Sequence, residues 1–432
     1  MTPIRLSQLA ECTPESPISY FMRLALEDSR LISIAAGFVD EPSLPALEIE
    51  AAIKDLFSTR DSARAALQYG TTQGYLPLRQ KLVERFARAD GTTASALNLS
   101  PANVVVTNGS QQLLYMVSEI LLDPGDIVIT EAPSYFVYHG TLASRGVRVM
   151  AVPMDDQGMK TDALEELLNR IAASGELSRL KLIYTVDYFQ NPSGLTLSAA
   201  RRAELMRLVR SFSRDHRILV LEDAAYRELR FAGDDIPSIK SLDPENQFVI
   251  YTSTFSKPCA PGLKTGYGFL PTELVDPIIC LKGGHDFGSS NLNQHIADRM
   301  LSTGVYDRHA VELQAIYRQK AEAMLEALAA AFLDHPEIRW TRPTGGLYVW
   351  LKFPPHVQTG MGSELLRASM REGVLYIPGE YCHVAGDDIP LPSCEARLCF
   401  GVATIEQIRE AIKRLGKAAC ALLDSKREMV LS

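Results

Sequence analysis

Lys257 lies in Ser253-Thr254-Phe255-Ser256-Lys257-Pro258-Cys259-Ala260-Pro261-Gly262-Leu263-Lys264, a hydroxyl-rich stretch between the apolar runs Phe248 to Tyr251 and Tyr267 to Leu270. Both runs read as buried strands, so the lysine occupies an irregular loop held between them. Apolar walls destabilise an ammonium, lower its pKa and free an amine for Schiff-base chemistry. Thr254, Ser256 and Lys264 are spaced to hold an anion beside it. A second anion site reads from a strand ending at Thr107, a tight Asn108-Gly109 turn and a helix opened by Ser110-Gln111-Gln112. First-turn N–H groups and the helix dipole favour an anion there by about 0.3–1 kcal/mol, more when partly buried. Arg397 stands among apolar residues in Glu395-Ala396-Arg397-Leu398-Cys399-Phe400. A guanidinium on such a strand suits a carboxylate, which it grips through two parallel hydrogen bonds. Each residue also has a plainer use: a loop lysine, a helix-capping serine, a structural ion pair.

Ser256-Lys257 followed by Ala260-Pro261-Gly262 and a basic residue resembles the cofactor-lysine segment of fold-type I aminotransferases. These enzymes use pyridoxal 5′-phosphate (PLP), and the closest likeness is to the 2-aminoadipate and kynurenine aminotransferase group. The motifs keep the family order from about Ile32 to Arg397. The resemblance implies that Lys257 forms the Schiff base with PLP and shuttles the substrate proton. It implies that Asp223, after the Arg217 to Leu221 strand, keeps the pyridine nitrogen protonated, where a capping aspartate is the plainer alternative. Asn191, in Gln190-Asn191-Pro192-Ser193-Gly194, and Tyr226 then reach the phenolate oxygen, and Tyr135, in Glu131-Ala132-Pro133-Ser134-Tyr135, stacks on the ring. Ser110, Gln111, Thr254, Ser256 and Lys264 hold the phosphate. Relatives usually carry arginine where Lys264 stands, and a lysine lacks the fork, so phosphate binding is expected in weaker or altered form. Arg397 grips the substrate α-carboxylate. Gly37 lies against the substrate in Ala35-Ala36-Gly37, where the family has an Ala-Gly-Gly-like sequence. Gly345-Gly346-Leu347-Tyr348 resembles the family's Gly-Gly-x-Phe strand. Tyr69, in Leu67-Gln68-Tyr69-Gly70, matches a tyrosine that reaches the phosphate of the partner subunit, which implies a homodimer with shared active sites. The resemblance puts a hydroxyl near Ser289 in a similar role.

Together these implications describe an aminotransferase that moves an amino group between an α-amino acid and a 2-oxo acid by a ping-pong cycle. Another PLP reaction on the same scaffold, as a lyase, decarboxylase or cyclase, is the alternative, because residues that hold PLP do not decide which Cα bond breaks. A regulatory, aminotransferase-like binding module is the remoter one. The resemblance begins by about Ile32, and no DNA-binding domain is expected ahead of it.

The elements that must position these residues alternate, strand then helix, from Asn103 to Leu270, which predicts a mainly parallel sheet with helices on both faces. Ligand-binding groups then fall at strand ends. The expected fold is α/β and aspartate aminotransferase-like, with a large PLP-binding domain over 56–310. A smaller α+β domain is expected from both chain ends, with an N-terminal arm and part of that domain in 1–55 and the rest in 311–432. Helices are predicted over Ser16 to Arg30, Thr161 to Ala172, Ala199 to His216 and Val305 to about Leu333, with a loop over Gly283 to Ser290.

Composition narrows the partners. The 432 residues are 46% hydrophobic, enough for a large core, and 44 basic against 52 acidic residues leave no basic cluster for nucleic acid. No apolar run approaches the roughly 18 residues that span a bilayer. The first residues lack the apolar core of a signal peptide. Seven cysteines without a Cys-x-x-Cys read as free thiols in a reducing cytoplasm. Eight scattered histidines give no metal-ligand spacing. In aminoadipate-specific relatives the first helix carries an arginine for the distal carboxylate; here Ser19 or Tyr20 stands at that place. Tyr20 is therefore read as a substrate-side residue favouring aromatic, apolar or neutral polar donors, with Arg23 one turn on as the complication.

Overall fold

Apolar runs buried on both faces fix the centre of the molecule. The structure, a computed structural model, describes residues 4–15, 17–28, 30–384 and 391–431. After a short strand β1 (Ile32–Ser33), eight strands build one sheet. These are β2 (Val104–Thr107), β3 (Ile127–Ala132), β4 (Arg148–Asp155), β5 (Gly158–Met159), β6 (Leu180–Thr185), β7 (Leu219–Asp223), β8 (Val249–Thr254) and β9 (Gly266–Phe269). Their order is β2-β9-β8-β7-β6-β3-β4-β5. The run from β8 to β4 is parallel, as the alternation predicts, while β9 lies antiparallel between β2 and β8, and β5 antiparallel on β4.

Alternation along the strands feeds two cores. Leu219 and Leu221 of β7 join the larger one, with Leu113 and Val117 of the helix Ser110–Leu121. Val220 between them joins the other, with Leu164, Leu168 and Leu205. Both faces of the sheet are thus covered by helices, which is why its strands read as continuous apolar runs.

A second sheet of β10 (Arg339–Trp340), β11 (Tyr348–Lys352), β13 (Ile377–Pro378) and β14 (Glu395–Cys399) runs in the order β10-β11-β14-β13. β12 (Val374–Leu375) pairs in parallel with β1, so the two ends of the chain meet. A third core of Phe21, Ala35, Trp350, Leu375 and Ile377 cements that meeting. No helix among the described residues is long and apolar enough to cross a membrane. All seven cysteines are free thiols.

The strand expected over Arg217 to Leu221 is β7, Leu219–Asp223, with Asp223 inside it, and three helix boundaries differ from the sequence reading. The helix predicted over Ser16 to Arg30 is Pro17–Glu27, preceded by a short helix Gln8–Cys12; the Asp28 side chain takes the Arg30 N–H and guanidinium, which turns the chain, and Ser16 lies outside the described residues. The helix expected to reach His216 stops at Phe212, because Ser213 donates to the Val209 carbonyl and accepts the Ile218 N–H, leaving His216 to meet the Leu180 carbonyl at 2.8 Å. Gly283 to His285, expected in a loop, close the helix Thr272–His285. Buried Ile278 and the Lys282–Asp286 pair at 2.7 Å hold that last turn despite its glycines.

Backbone approaches backbone closely at Gly266 of β9. A Cβ there would collide with the main chain of Gly109 and Ser110, at the start of the helix Ser110–Leu121. Gly266→Ala is expected to lower the urea unfolding midpoint, by about 1–3 kcal/mol of overpacking. Gly283→Ala, with open space around its Cβ position, should stabilise the helix by about 0.5–1 kcal/mol. Equal midpoints for Gly266→Ala and the parent would show that β9 does not hold the helix start.

Candidate active site

The end of β7, the loop after β8 and the middle of β14 face one cavity of about 370 Å3 between the two sheets. The loop is held by its own hydroxyls. Thr254 donates to Ser256 Oγ at 2.9 Å and accepts the Ser256 N–H, while Phe255, buried, donates its N–H to Thr265. Lys257 is thereby aimed at the cavity, and its Nζ donates to the Gly37 carbonyl at 2.8 Å. Burial is the main force on its pKa, which falls from 10.5 to about 8; the Cys399 thiol opposes the fall, and the positive Arg397 and Lys264 add to it. Beyond the turn Pro261–Leu263, Lys264 sits in the left-handed region at φ 48° and lines the same cavity.

Gly109, at φ 74°, caps the helix Ser110–Leu121 without a side-chain hydrogen bond. Ser110 is thus the first residue inside the helix and not its capping serine. Ser110 and Gln111, in its first turn, line the cavity, as do Thr254, Ser256 and Lys264. Hydroxyls, an ammonium and a helix start make a cradle for a phosphate.

Asp223, the last residue of β7, is buried, accepts the Tyr184 hydroxyl at 3.1 Å and takes the Ala225 N–H at 3.3 Å. Burial lifts its pKa from 3.8 to about 6, against the pull of these two bonds. The carboxylate still ionises below neutrality and lacks a cation partner among the described residues. Arg397 is 1% exposed. Its Nη1 donates to the Asn191 amide oxygen at 2.9 Å and its Nη2 to the Ala35 carbonyl at 2.7 Å, while Nε is buried without a partner. Phe136 and Tyr348 cover the guanidinium at 5.2 and 4.7 Å. Among the described residues it pairs with no carboxylate, so the structural ion pair weighed from sequence is not formed.

Tyr135, Tyr226 and Gly37 also line the cavity, so twelve of the sequence-predicted site residues converge there. Two do not. Tyr69 is 82% exposed, edge-on to Phe287 at 5.4 Å in a separate cleft that it shares with Ser289. Tyr20 packs edge-on against Phe21 at 5.4 Å, with Arg23 over its ring; Ile18 and Met22 line the cavity in its place. Residues four apart share a helix face and the one midway does not. Arg23 is exposed and lies 3.9 Å from Glu27.

The sequence reading missed Tyr184 and Glu131. Glu131, buried at the end of β3, accepts Thr185 Oγ1 at 2.7 Å, the Val186 N–H at 3.1 Å and Gln190 Nε2 at 2.5 Å. It thereby fixes the loop that presents Asn191, and burial raises its pKa to about 7. Nothing in the sequence marks either residue, since their roles come from strands that meet only in the sheet.

Residues 31–415 match the family profile described as "Aminotransferase class I and II". The chain belongs to that family. It is 33% identical over 393 residues to aromatic-amino-acid aminotransferase 1 of Thermococcus litoralis, a match covering 91% of this chain and 88% of that one. The kynurenine aminotransferase of Pyrococcus horikoshii, solved with PMP, superposes at a TM-score of 0.87 with 32% identity over 97% of both chains. LysN, the α-aminoadipate aminotransferase of Thermus thermophilus complexed with N-(5′-phosphopyridoxyl)-L-leucine, gives 0.81 with 31% identity over 97% of this chain and 98% of that one. This aminotransferase is therefore a PLP-dependent transaminase of the aspartate aminotransferase-like fold. Its residues fit the cofactor. A phosphate cradle, a lysine amine, an ionised buried aspartate and a buried guanidinium with a free donor all open on one cavity.

The lowered pKa of Lys257 has a direct readout in the apo-protein. Only the neutral amine attacks an acylating or arylating reagent, and it predominates above the pKa. Modification of Lys257 by trinitrobenzenesulfonate should rise through a midpoint near pH 8, well below the 10.5 of an ordinary lysine. A midpoint near 10.5, read by peptide mapping, would contradict the site geometry.

Proposed function

We propose that this aminotransferase works by a ping-pong cycle with Lys257 as its proton-moving base. A donor α-amino acid leaves as its 2-oxo acid before an acceptor 2-oxo acid enters. One observation carries the reading: the Lys257 amine opens on a cavity that also receives Asp223 and Arg397. Bound PLP supplies the sink for negative charge at the substrate Cα. Asp223, ionised above about pH 6, holds the proton of the pyridine nitrogen. Arg397 orients the substrate α-carboxylate with the donors that Asn191 and Ala35 leave over, Nε among them. Lys257 would take the proton from the substrate Cα and return it during the exchange, with bound PLP supplying the sink. Asn191 and Tyr226 serve the phenolate oxygen, and Tyr135 covers the ring. Ser110, Gln111, Thr254, Ser256 and Lys264 hold the phosphate. Gly37 forms the wall against which the substrate lies.

We propose neutral, apolar or aromatic donors. Ile18, Met22, Phe38 and Val137 line the cavity, and the helix Pro17–Glu27 turns no cation into it, since Arg23 is exposed toward Glu27. A distal carboxylate buried there without a partner loses several kcal/mol, by order of magnitude. The leucine adduct carried by the T. thermophilus relative supports an apolar side chain. In a donor screen read by 2-oxo acid formation, phenylalanine, kynurenine, leucine or methionine should exceed 2-aminoadipate in kcat/KM. A tenfold preference for 2-aminoadipate over every neutral donor, about 1.4 kcal/mol, would sink this reading.

We also propose a cytoplasmic homodimer with shared active sites. Tyr69 and Phe287 form an exposed aromatic pair beside Ser289, outside the chain's own cavity, as a residue serving the phosphate of a partner subunit requires. The domain division into 1–55, 56–310 and 311–432 draws support from the β1–β12 pairing of the two chain ends. Seven free thiols suit a reducing compartment. Light scattering should give a dimer mass for the active, PLP-loaded protein; a PLP-loaded, active monomer would end the shared-site proposal.

A further inference from the structure

Tyr348 carries a hydroxyl at the place where the family's Gly-Gly-x-Phe strand has a phenyl ring. It stands on β11, paired with Cys399, two residues from the pairing of Trp350 with Arg397. The side chain is 1% exposed and lines the cavity. Its hydroxyl oxygen lies 3.2 Å from that of Tyr226, and the two rings meet edge to face at 5.7 Å and 80°. Gly37 closes another side, because a Cβ there would collide with the Tyr348 hydroxyl. The carbonyl of the same glycine accepts the Lys257 amine. A buried phenol needs a partner, since a hydrogen bond left unmade away from water is destabilising. The Tyr226 oxygen is the partner the geometry gives it.

Either oxygen of such a pair can donate. An anionic phenolate oxygen is the stronger acceptor and takes the hydrogen of Tyr226, which leaves the hydrogen of Tyr348 for the Tyr226 oxygen. Hydroxyls donating in one direction polarise each other, by roughly 10–30% per bond. Both phenols keep their protons at neutral pH: burial pushes Tyr348 up to about 12 and Tyr226 well above 10. The ionisable groups that face the pair are Arg397 and Cys399 from β14, Cys382, Tyr135 after β3 and Asp223 at the end of β7.

We propose that Tyr348 is a positioning residue for Tyr226: its hydroxyl donates to the Tyr226 oxygen, aims the Tyr226 hydrogen at the phenolate oxygen of PLP and strengthens that bond. The inference rests on the role proposed above for Tyr226. A stronger bond to the phenolate stabilises its negative charge and lowers the pH at which the lysine-bound cofactor takes up its proton. The test is a pH titration of the visible absorbance of the PLP-loaded enzyme, with thermal unfolding as the fold control. Tyr226→Phe should raise the midpoint, and Tyr348→Phe should raise it by a smaller amount, a few tenths of a pH unit. In the Tyr226→Phe background, Tyr348→Phe should add nothing. A midpoint unmoved by Tyr348→Phe, or moved equally in both backgrounds, overturns the positioning role even where the melting temperature falls, as a packing role predicts. A midpoint unmoved by Tyr226→Phe itself refutes the phenolate role of Tyr226, and the inference goes with it.

Discussion

A guanidinium removed from water needs an anion, or several dipoles in its place. Arg397 is given dipoles. Its bonds run to a side-chain amide and a backbone carbonyl, two aromatic faces enclose it, and Nε is left unpaired. The same cavity receives Lys257, Lys264 and one carboxylate, that of Asp223. Three basic groups against one acid make it electropositive before any ligand enters. The excess matches a ligand pair that brings a phosphate and a carboxylate. It also explains part of the lowered pKa of Lys257, since Arg397 and Lys264 both act against its protonation. The electropositive cavity and part of the lowered pKa of Lys257 are thus two consequences of one charge arrangement.

Holding such groups in place falls to two sheets and a short segment that stitches them. Lys257 and Asp223 come from the eight-stranded sheet, Arg397 from the four-stranded one. The residues after β1 join both. Ile34 donates its N–H to Leu375 and accepts the Cys399 N–H; Ala35 accepts Arg397; Gly37 accepts Lys257. The segment from Ile34 to Gly37 thus ties Lys257 to Arg397. Its contacts come largely from backbone carbonyls, which side-chain substitution does not remove.

Much of this was legible in the sequence, because strand ends announce themselves. Continuous apolar runs marked β7, β8 and β9, and polar residues at their ends became Asp223 and Lys257. The helix start at Gly109 was equally clear, since turn chemistry and apolar period switch there. Faces were harder than elements. Tyr20 was placed toward the substrate by counting along the helix Pro17–Glu27, and a shift of two residues, to Ile18 or Met22, was enough to miss the side that faces the cavity. Gly283 and Gly284 read as a loop because propensity is local, whereas Ile278 and the Lys282–Asp286 pair hold that turn from outside it. Glu131 and Tyr184 were invisible for a different reason: each acts across strands, on Gln190 and Asp223, and one sequence does not show which strands are neighbours.

The places where this chain departs from its family separate by what they face. Ser193, where the family's Asn-Pro-Thr-Gly loop has threonine, still donates to Gln190 Oε1 and accepts the Leu195 N–H, so the loop that presents Asn191 loses only a methyl. Ala36 is buried against the cavity and narrows it by that same small group. Lys264 and Tyr348 are different in kind. Lys264 lacks the planar fork of an arginine, so in the proposed phosphate site orientation would pass to the helix start and to the hydroxyls of Thr254 and Ser256. Tyr348 adds a hydroxyl on the phenolate side, within 3.2 Å of the tyrosine assigned to that oxygen. On the proposed roles, one change would loosen the grip on the phosphate, and the other would add a polar contact on the phenolate side. The backbone scaffold is common to both sides, so the chain can trade one against the other without altering the geometry that joins Lys257, Asp223 and Arg397.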